Sequence, residues 1–450
     1  MINSTFYIIY FSVIIGNHTE GTTMKFFIDA NFVISLIFTV CYSYQIIYTI
    51  IACFIKPKKF PEAPFHRFAI LVAARNEKNV ISQLIESAKN QKYPSDMYDI
   101  YIVADNCTDN TAEIARNAGA IVFERSDTVN VGKGFALDFL FQKIFEEKGN
   151  EYYDGYFIFD ADNLLDENYI YEMNKVFSSG YEIITSYRNS KNYDSSWVSA
   201  GYSLGFLRDA KFLHNARMIV NSGSVISGTG FLVKNTIINE HGGWKFFTLT
   251  EDCEFSIKNI IDGHKVGYCH DAIFYDEQPV DFMTSVRQRL RWVKGTFIVF
   301  GKYCKKLFTS LFKKGGFTIF DVIMTSFPAM LLSTMSLIVC IAGIIFAIVT
   351  GNPRLDEVLE ILISTVASSY TMLFAMGLLT GITERKRIKC RKWKKILYYF
   401  TFPIFLLSYI PICLIAPFKK VKWKPIEHSV NVSVDDVKKE DKALTSDIKR

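Results

Sequence analysis

Two kinds of hydrophobic pattern divide this chain. Near its ends, apolar residues run on without a polar face. No charged residue stands between Ala30 and Ile55, a run long enough to cross a hydrocarbon layer of about 30 Å. Lys56, Lys58 and Lys59 follow at once, which predicts a cytosolic end there. A second apolar region begins near 317, with spans predicted over 329–349 and 358–382. The connection at 351–357 carries Arg354 as its only basic residue, whereas Lys or Arg occupies 385, 386, 387, 389, 391, 392, 394 and 395. That asymmetry predicts a cytosolic loop after the second of these spans. The block 396–418 contains Pro403 and Pro411 and precedes Lys419, Lys420, Lys422 and Lys424. A simple crossing would leave those lysines outside, so a broken or re-entrant segment is expected. Residues 6–16 are apolar but short for a span. Residues 430–450 balance acids against bases without an aromatic ring and read as a disordered tail.

The middle of the chain alternates instead. After a linker with Pro57, Pro61 and Pro64, short apolar runs at 69–74, 99–105, 120–125 and 155–160 read as strands. Helical spacing lies between them at 79–90, 111–119 and 134–146. Strands alternating with helices predict an α/β domain, a mostly parallel sheet with helices on both faces. Ligands of such sheets bind beyond the carboxyl ends of the strands. The expected regions are a membrane segment in 1–55, a cytosolic domain over 66–300, an interfacial and transmembrane region over 301–420, and a basic end with a tail over 421–450.

Composition agrees with a membrane protein: 50% of the residues are hydrophobic, with 39 Phe and 24 Tyr. The net charge of +6 is small, and the bases cluster beside apolar blocks, which favours a membrane surface and excludes a nucleic-acid-binding function. The 9 cysteines are scattered without a C-x-x-C pair, so neither a disulfide framework nor a zinc site is expected.

Several strands end on chemistry. The run Phe157-Ile158-Phe159 stops at Asp160-Ala161-Asp162. Two hard oxygen donors at a sheet rim suit Mg²⁺ or Mn²⁺, which in turn grips a diphosphate; alternatively, Asp162 or Asn163 caps the next helix. Ala74-Arg75-Asn76-Glu77 follows the first strand, and Asp105 ends the second, as a ligand contact or within an Asx turn. Gly132-Lys133-Gly134 is no P-loop, since Asp127 stands where the first glycine belongs, but it is a cationic turn able to approach a nucleotide. The small residues Gly228 and Thr229 allow close approach of a substrate. Thr250-Glu251-Asp252 opens a helical pattern, as chemistry or as its cap. In Gln288-Arg289-Leu290-Arg291-Trp292, an Arg fork suits a phosphate and a Trp face suits a sugar. The alternative there is an amphipathic helix lying on the membrane.

In this order, Asp105, Asp160-Ala161-Asp162, Thr250-Glu251-Asp252 and Gln288 to Trp292 resemble the D, D-x-D, T-E-D, Q-x-x-R-W series of membrane-bound family 2 glycosyltransferases. That group includes cellulose, hyaluronan and poly-N-acetylglucosamine synthases and ceramide glucosyltransferase. The resemblance covers about 66–300. It implies a GT-A fold and a UDP-sugar donor held by Ala74, Glu77, Asp105, Lys133, Asp160 and Arg291. It further implies a metal on Asp162, Asp252 as general base, and an acceptor beside Gly228, Thr229, Gln288 and Trp292. The acceptor it implies is a β-linked polysaccharide or, alternatively, a membrane lipid. Two departures stand out. The C-terminal membrane part is short for a polymer channel, which leaves room for an export partner subunit. Trp423 to His428 resembles a terminal motif of bacterial family members. A nucleotidyl- or phosphosugar transferase would have no use for Asp252 with the Gln288–Trp292 stretch, and a non-catalytic scaffold would have none for Asp162 and Asp252.

Overall fold

Apolar runs with no polar face become the middle of a sheet here, because helices cover both of its sides. The computed structural model describes residues 22–313, 315–326, 328–421, 428 and 430–438. The chain enters through α1 (Thr22–Tyr42) and α2 (Tyr44–Phe54). Together they form one apolar stretch, Thr23–Phe54, long enough to cross a membrane. The alternation then follows as β1 (Phe68–Ala74), α3 (Ile81–Lys89), β2 (Tyr98–Asp105), α4 (Thr111–Asn117), β3 (Ile121–Arg125), α5 (Lys133–Lys148) and β4 (Gly155–Asp160). Period-two side chains divide the core. Phe68, Ile70, Phe157 and Phe159 pack with Leu84 and Ile85 of α3, while Leu71, Tyr156 and Ile158 pack with Leu137, Leu140 and Phe141 of α5.

The second half is less regular. It comprises β5 (Leu164–Leu165), α6 (Tyr169–Ser178), β6 (Ile183–Ser190) and α7 (Trp197–Arg208), which runs through a π-helical turn (Asp209–His214) into α8 (Asn215–Ile219). β7 (Phe231–Lys234), α9 (Asn235–His241), α10 (Glu251–Asp262), β8 (Val266–Asp276) and the long α11 (Phe282–Ser310) follow. The strand order is β3-β2-β1-β4-β7-β6-β8-β5. β3, β2, β1 and β4 are mutually parallel, β7 runs antiparallel to both its neighbours, and β8 is parallel to β6. This is the mixed, mostly parallel sheet of a GT-A domain.

The C-terminal region contains α12 (Gly316–Ser326), α13 (Pro328–Thr350), α14 (Leu355–Thr383), α15 (Lys392–Leu407) and α16 (Tyr409–Ile415). Among the described residues, four stretches are long and apolar enough to cross a membrane: Thr23–Phe54, Leu331–Thr350, Leu355–Thr383 and Lys392–Ile415. The last is broken at Ser408. Arg289 of α11, fully buried, donates to the Phe405 carbonyl (3.1 Å) and to Ser408 Oγ (2.7 Å). Its guanidinium also lies 4.6 Å from the Phe405 ring centroid. Arg289 is therefore a buried strut and not part of a membrane-facing arginine row. Residues 430–438 also differ from the expected tail. Val437 is buried, Val432 and Val434 pack on the same core, and Lys438 pairs with Asp166 at 3.0 Å. The alternation Val430-Asn431-Val432-Ser433-Val434 supplies an apolar edge that charge balance alone conceals. Residues 1–21, with the short run 6–16, and residues 422–427, 429 and 439–450 lie outside the described residues. All cysteines are free.

Candidate active site

Parallel pairing aligns the ends of three strands. Ala74 ends β1 opposite Ala104, Asp160 ends β4 opposite Ala73, and Asp105 ends β2 opposite Arg125. Two asparagines turn the chain sharply beyond the sheet, Asn76 at φ 59° and Asn106 at φ 52°, conformations Asn tolerates better than most residues. The Asn76 side chain accepts from the Thr108 amide (2.8 Å), and the Glu77 amide donates to Thr111 Oγ1 (2.8 Å), locking the two loops together. Arg125 and Asn106 both donate to Oδ1 of the buried Asp105 (2.5 and 3.1 Å).

Asp160 and Asp162 are not helix caps, since α6 begins only at Tyr169. Lys133, the first residue of α5, donates to Asp160 Oδ1 (2.5 Å) and to the Gly228 carbonyl (2.8 Å). The Asp160 amide donates to Thr229 Oγ1 (2.8 Å), and the Thr229 hydroxyl donates to Asn163. One lysine and one threonine thus fasten the 228–229 loop to the acidic strand end. Asp162 is buried and accepts from the Glu277 amide (2.7 Å) and from Asn163 Nδ2 (3.2 Å). Burial opposes its charge, but His428, Lys191, the Glu277 amide and Arg188 outweigh it and hold its carboxyl below the usual range.

Across the loop stands the first turn of α10. Gly228 (φ +77°) faces Asp252, whose Oδ2 would lie 3.9 Å from a Cβ built there. A side chain at 228 would fill the space before that carboxylate. Glu251 and Asp252 do occupy the helix N-terminus, where the dipole favours their charge. Burial and then the Asp252 charge nevertheless push Glu251 up to about 7, with Lys133 and Arg291 opposing. Arg291 donates to the Leu249 carbonyl (2.7 Å) and has no carboxylate partner among the described residues. Gln288 Oε1, one turn earlier on α11, is buried without a hydrogen-bond partner among the described residues. Trp292 sets its ring edge-on to Tyr202, with centroids 5.7 Å apart.

The structure adds Arg188 and Asp276, which the motifs did not name, and brings in His428, the last residue of the Trp423 to His428 motif. Arg188 of β6 donates to Asp276 (Nε, 2.7 Å) and to the Ser227 carbonyl (3.1 Å). Burial, partly offset by Arg188 and reinforced by Asp162, pushes Asp276 up to about 6. The signal was present, because Ile273-Phe274-Tyr275-Asp276 is another apolar strand ending on an acid. His428 lies 3.0 Å from Glu77 Oε2. Asp162, Glu77 and Glu277 overcome its burial and raise it to about 10, so it is a cation among these acids.

The model of the family described as "Glycosyltransferase like family 2" matches residues 66–295. A probable glycosyltransferase of Bacillus subtilis, YdaM, is 25% identical over 283 residues, covering 58% of this chain and 62% of that protein. The beta-monoglucosyldiacylglycerol synthase of Synechocystis is 24% identical over 240 residues (52% of this chain, 48% of that protein). The poly-beta-1,6-N-acetyl-D-glucosamine synthase of Staphylococcus epidermidis is 23% identical over 269 residues (56% and 62%). The matches therefore span about half to three-fifths of these relatives' lengths. Among solved structures, the mannosyltransferase PcManGT of Pyrobaculum calidifontis, in complex with GDP-Man and Mn²⁺, superposes with a TM-score of 0.56 at 15% identity, over 87% of this chain and 97% of that one. The sheet, the order of its acidic strand ends and the match over 66–295 place this chain in glycosyltransferase family 2.

Proposed function

We propose that the chain transfers a hexose or N-acetylhexosamine from a UDP-sugar to a growing β-linked polysaccharide at the cytosolic face of a membrane, with inversion and with Mg²⁺ or Mn²⁺. The observation that carries this reading is the meeting of Asp160, Asp162, Lys133, Gly228 and Asp252 at one rim of the sheet. Lysines after the first span and the basic run at 385–395 support a multi-pass protein with a cytosolic domain.

A divalent ion fits Asp162. Two N–H groups use part of its carboxylate, which has about four acceptor sites. Among the described residues no group of three acids, histidines or cysteines could hold a metal ion by itself, so an ion at Asp162 would need substrate phosphates and water to complete its shell. Such an ion supplies positive charge where the leaving diphosphate gains negative charge. In this reading Arg291 holds the same diphosphate and Asp105 takes the base through Oδ2. Ala74, Glu77, Lys133 and Asp160 shape the donor floor. Asp252 accepts the proton of the acceptor hydroxyl as it attacks across Gly228. Gln288 Oε1 accepts a hydrogen bond from the acceptor, while Thr229 braces the loop beneath it. One base and one displacement invert the anomeric centre.

Half-buried rings of Trp197, Phe206, Phe282 and Trp292 gather around Tyr202 and Phe405 of the broken membrane helix. Flat faces suit successive sugars, which supports the polysaccharide acceptor. Their contact with Phe405 of α15 favours a second reading, a lipid acceptor entering from the membrane. The test is UDP release by the purified full chain with UDP-glucose, UDP-galactose, UDP-N-acetylglucosamine or UDP-glucuronate. Products are separated into polymer and lipid fractions. Release with one donor, abolished by EDTA and by Asp252→Asn, is expected. Label in the lipid fraction alone replaces the first acceptor by the second. No release with any donor, native lipids and an export partner included, overturns both.

A further inference from the structure

A cavity of about 330 Å³ lies where β8 leaves its register, and its walls contain none of the residues discussed above as catalytic. Pairing passes from Ser186↔Cys269 directly to Tyr187↔Ile273, so His270, Asp271 and Ala272 have no partners on β6. Irregularities of this kind re-aim side chains and gather next to functional sites. Here they place His270 and Asp271 in the cavity wall.

The charges of the wall do not cancel. Asp271 pairs with Lys59 (2.7 Å), Glu172 with Lys175 (2.8 Å) and Asp166 with Lys438 (3.0 Å). Every acid of the wall is thereby matched. Lys58 and Arg387 also line it and have no carboxylate partner among the described residues. They rest only on ring faces, Lys58 at 5.3 Å from Phe60 and Arg387 at 5.0 Å from Tyr187. His270 Nδ1 is buried without a hydrogen-bond partner among the described residues. Burial lowers this imidazole to about 4, so the ring is neutral and adds no charge to the wall. The cavity thus offers two uncompensated cations, and its acids are already engaged.

Its position adds a second constraint. Lys58 follows the end of α2 at Phe54 by four residues, and Arg387 follows the end of α14 at Thr383 by four. Such a segment reaches at most about 14 Å, so both cations stay near the membrane ends of two candidate spans. We propose that this cavity binds a phosphate-bearing anion, either a phospholipid headgroup or a soluble phosphate ester, through Lys58 and Arg387. β6 connects it to the catalytic loop: Tyr187 meets the His270 ring (5.3 Å between centroids), and the next residue, Arg188, holds Ser227.

The experiment uses the full chain in two arms. In the first, native mass spectrometry counts phosphatidylglycerol retained against phosphatidylcholine. In the second, inorganic pyrophosphate is titrated in neutral detergent, with saturating UDP present to fill the catalytic rim, and read by thermal shift. Wild type binds one probe saturably. Lys58→Gln with Arg387→Gln weakens it about tenfold or more, the scale of one to two charge-assisted hydrogen bonds. Lys419→Gln with Lys420→Gln removes equal charge at another membrane flank and leaves binding unchanged. Retention of lipid alone assigns the headgroup, and response to pyrophosphate alone assigns a soluble ester. No saturable binding by wild type, which needs no variant to fold, overturns the proposal. So does an equal loss in the Lys419/Lys420 control, which would mark general surface attraction.

Discussion

Glu251 and Asp252 are neighbours on one helical turn, yet their environments separate them. Asp252 faces the opening at Gly228, whereas burial and its neighbour's charge raise Glu251 to about 7. Replacing the proposed base, Asp252→Asn, lowers kcat by about 10²–10⁴-fold, the usual share of general-base catalysis. UDP-sugar affinity, measured by calorimetry, stays within about twofold. Glu251 gives a stability prediction. Its ordinary value is 4.5 and its folded value is higher, so the fold favours the protonated form. That contribution is fully present below about pH 4.5 and is lost as pH rises to about 7. Glu251→Gln is therefore expected to melt higher than wild type at pH above 7, with the difference vanishing in acid. An unchanged pH dependence of Tm would count against a buried carboxyl here. Both acids are legible in the sequence as Thr-Glu-Asp, but their division of labour is not, because burial arises only when Lys133, Gly228 and Arg291 close around them.

The helix α11 faces two ways. It turns Arg291 toward the Leu249 carbonyl beside the acidic turn, Trp292 toward Tyr202 and Arg289 toward the membrane block. An α-helical step of about 100° per residue separates Arg289 from Arg291 by half a turn, which is why a row of arginines read as one surface becomes a strut and a cation beside the acidic turn of α10. Arg289→Leu removes a buried donor from both the Phe405 carbonyl, which keeps Ser408 Oγ at 2.6 Å, and Ser408 Oγ itself, and is expected to cost about 1–3 kcal/mol. Thermal unfolding in detergent checks this. A comparable fall in kcat would show that the helix break positions Trp292. Gly134 tests the other side of the site. A Cβ there would stand 2.0 Å from the Phe246 carbonyl. Gly134→Ala is expected to destabilise by about 1–3 kcal/mol and to raise the donor KM by shifting Lys133.

At the scale of the molecule, two long-range contacts join membrane and catalytic parts. Arg217 bonds Asp321 through Nε and Nη2, both at 2.8 Å, and Tyr44 and Tyr48 of α2 each donate to the same carboxylate at 2.9 Å. Asp321 is fully buried, so Arg217→Ala leaves a buried charge without its counter-ion, bonded by Tyr44 and Tyr48 alone, and is expected to cost about 3–5 kcal/mol. Arg217→Ala combined with Asp321→Asn should recover most of that loss in the same melting assay. The second contact is His428 with Glu77, distant in sequence and adjacent in space. His428→Ala removes one cation from among Glu77, Asp162 and Glu277 and is expected to weaken UDP binding about tenfold and to lower Tm, since the acids that raise this imidazole lose their counter-charge. Unaltered UDP affinity would make His428 a structural clasp only.

The sequence by itself determined the membrane blocks, the alternating strands and helices, and the acids at strand ends. These are local properties: a run without charge, a period of two or of 3.6, and a carboxylate after an apolar strand. Asp160, Asp162 and Asp252 were therefore nameable in advance. Tertiary structure alone decided which charges pair. Asp276 needed Arg188 from another strand, Arg289 needed the helix break at Ser408, and Val432, Val434 and Val437 needed the core they cover. Ion pairing and burial depend on neighbours that the chain brings together only after the sheet has formed, and no periodicity along one segment encodes them.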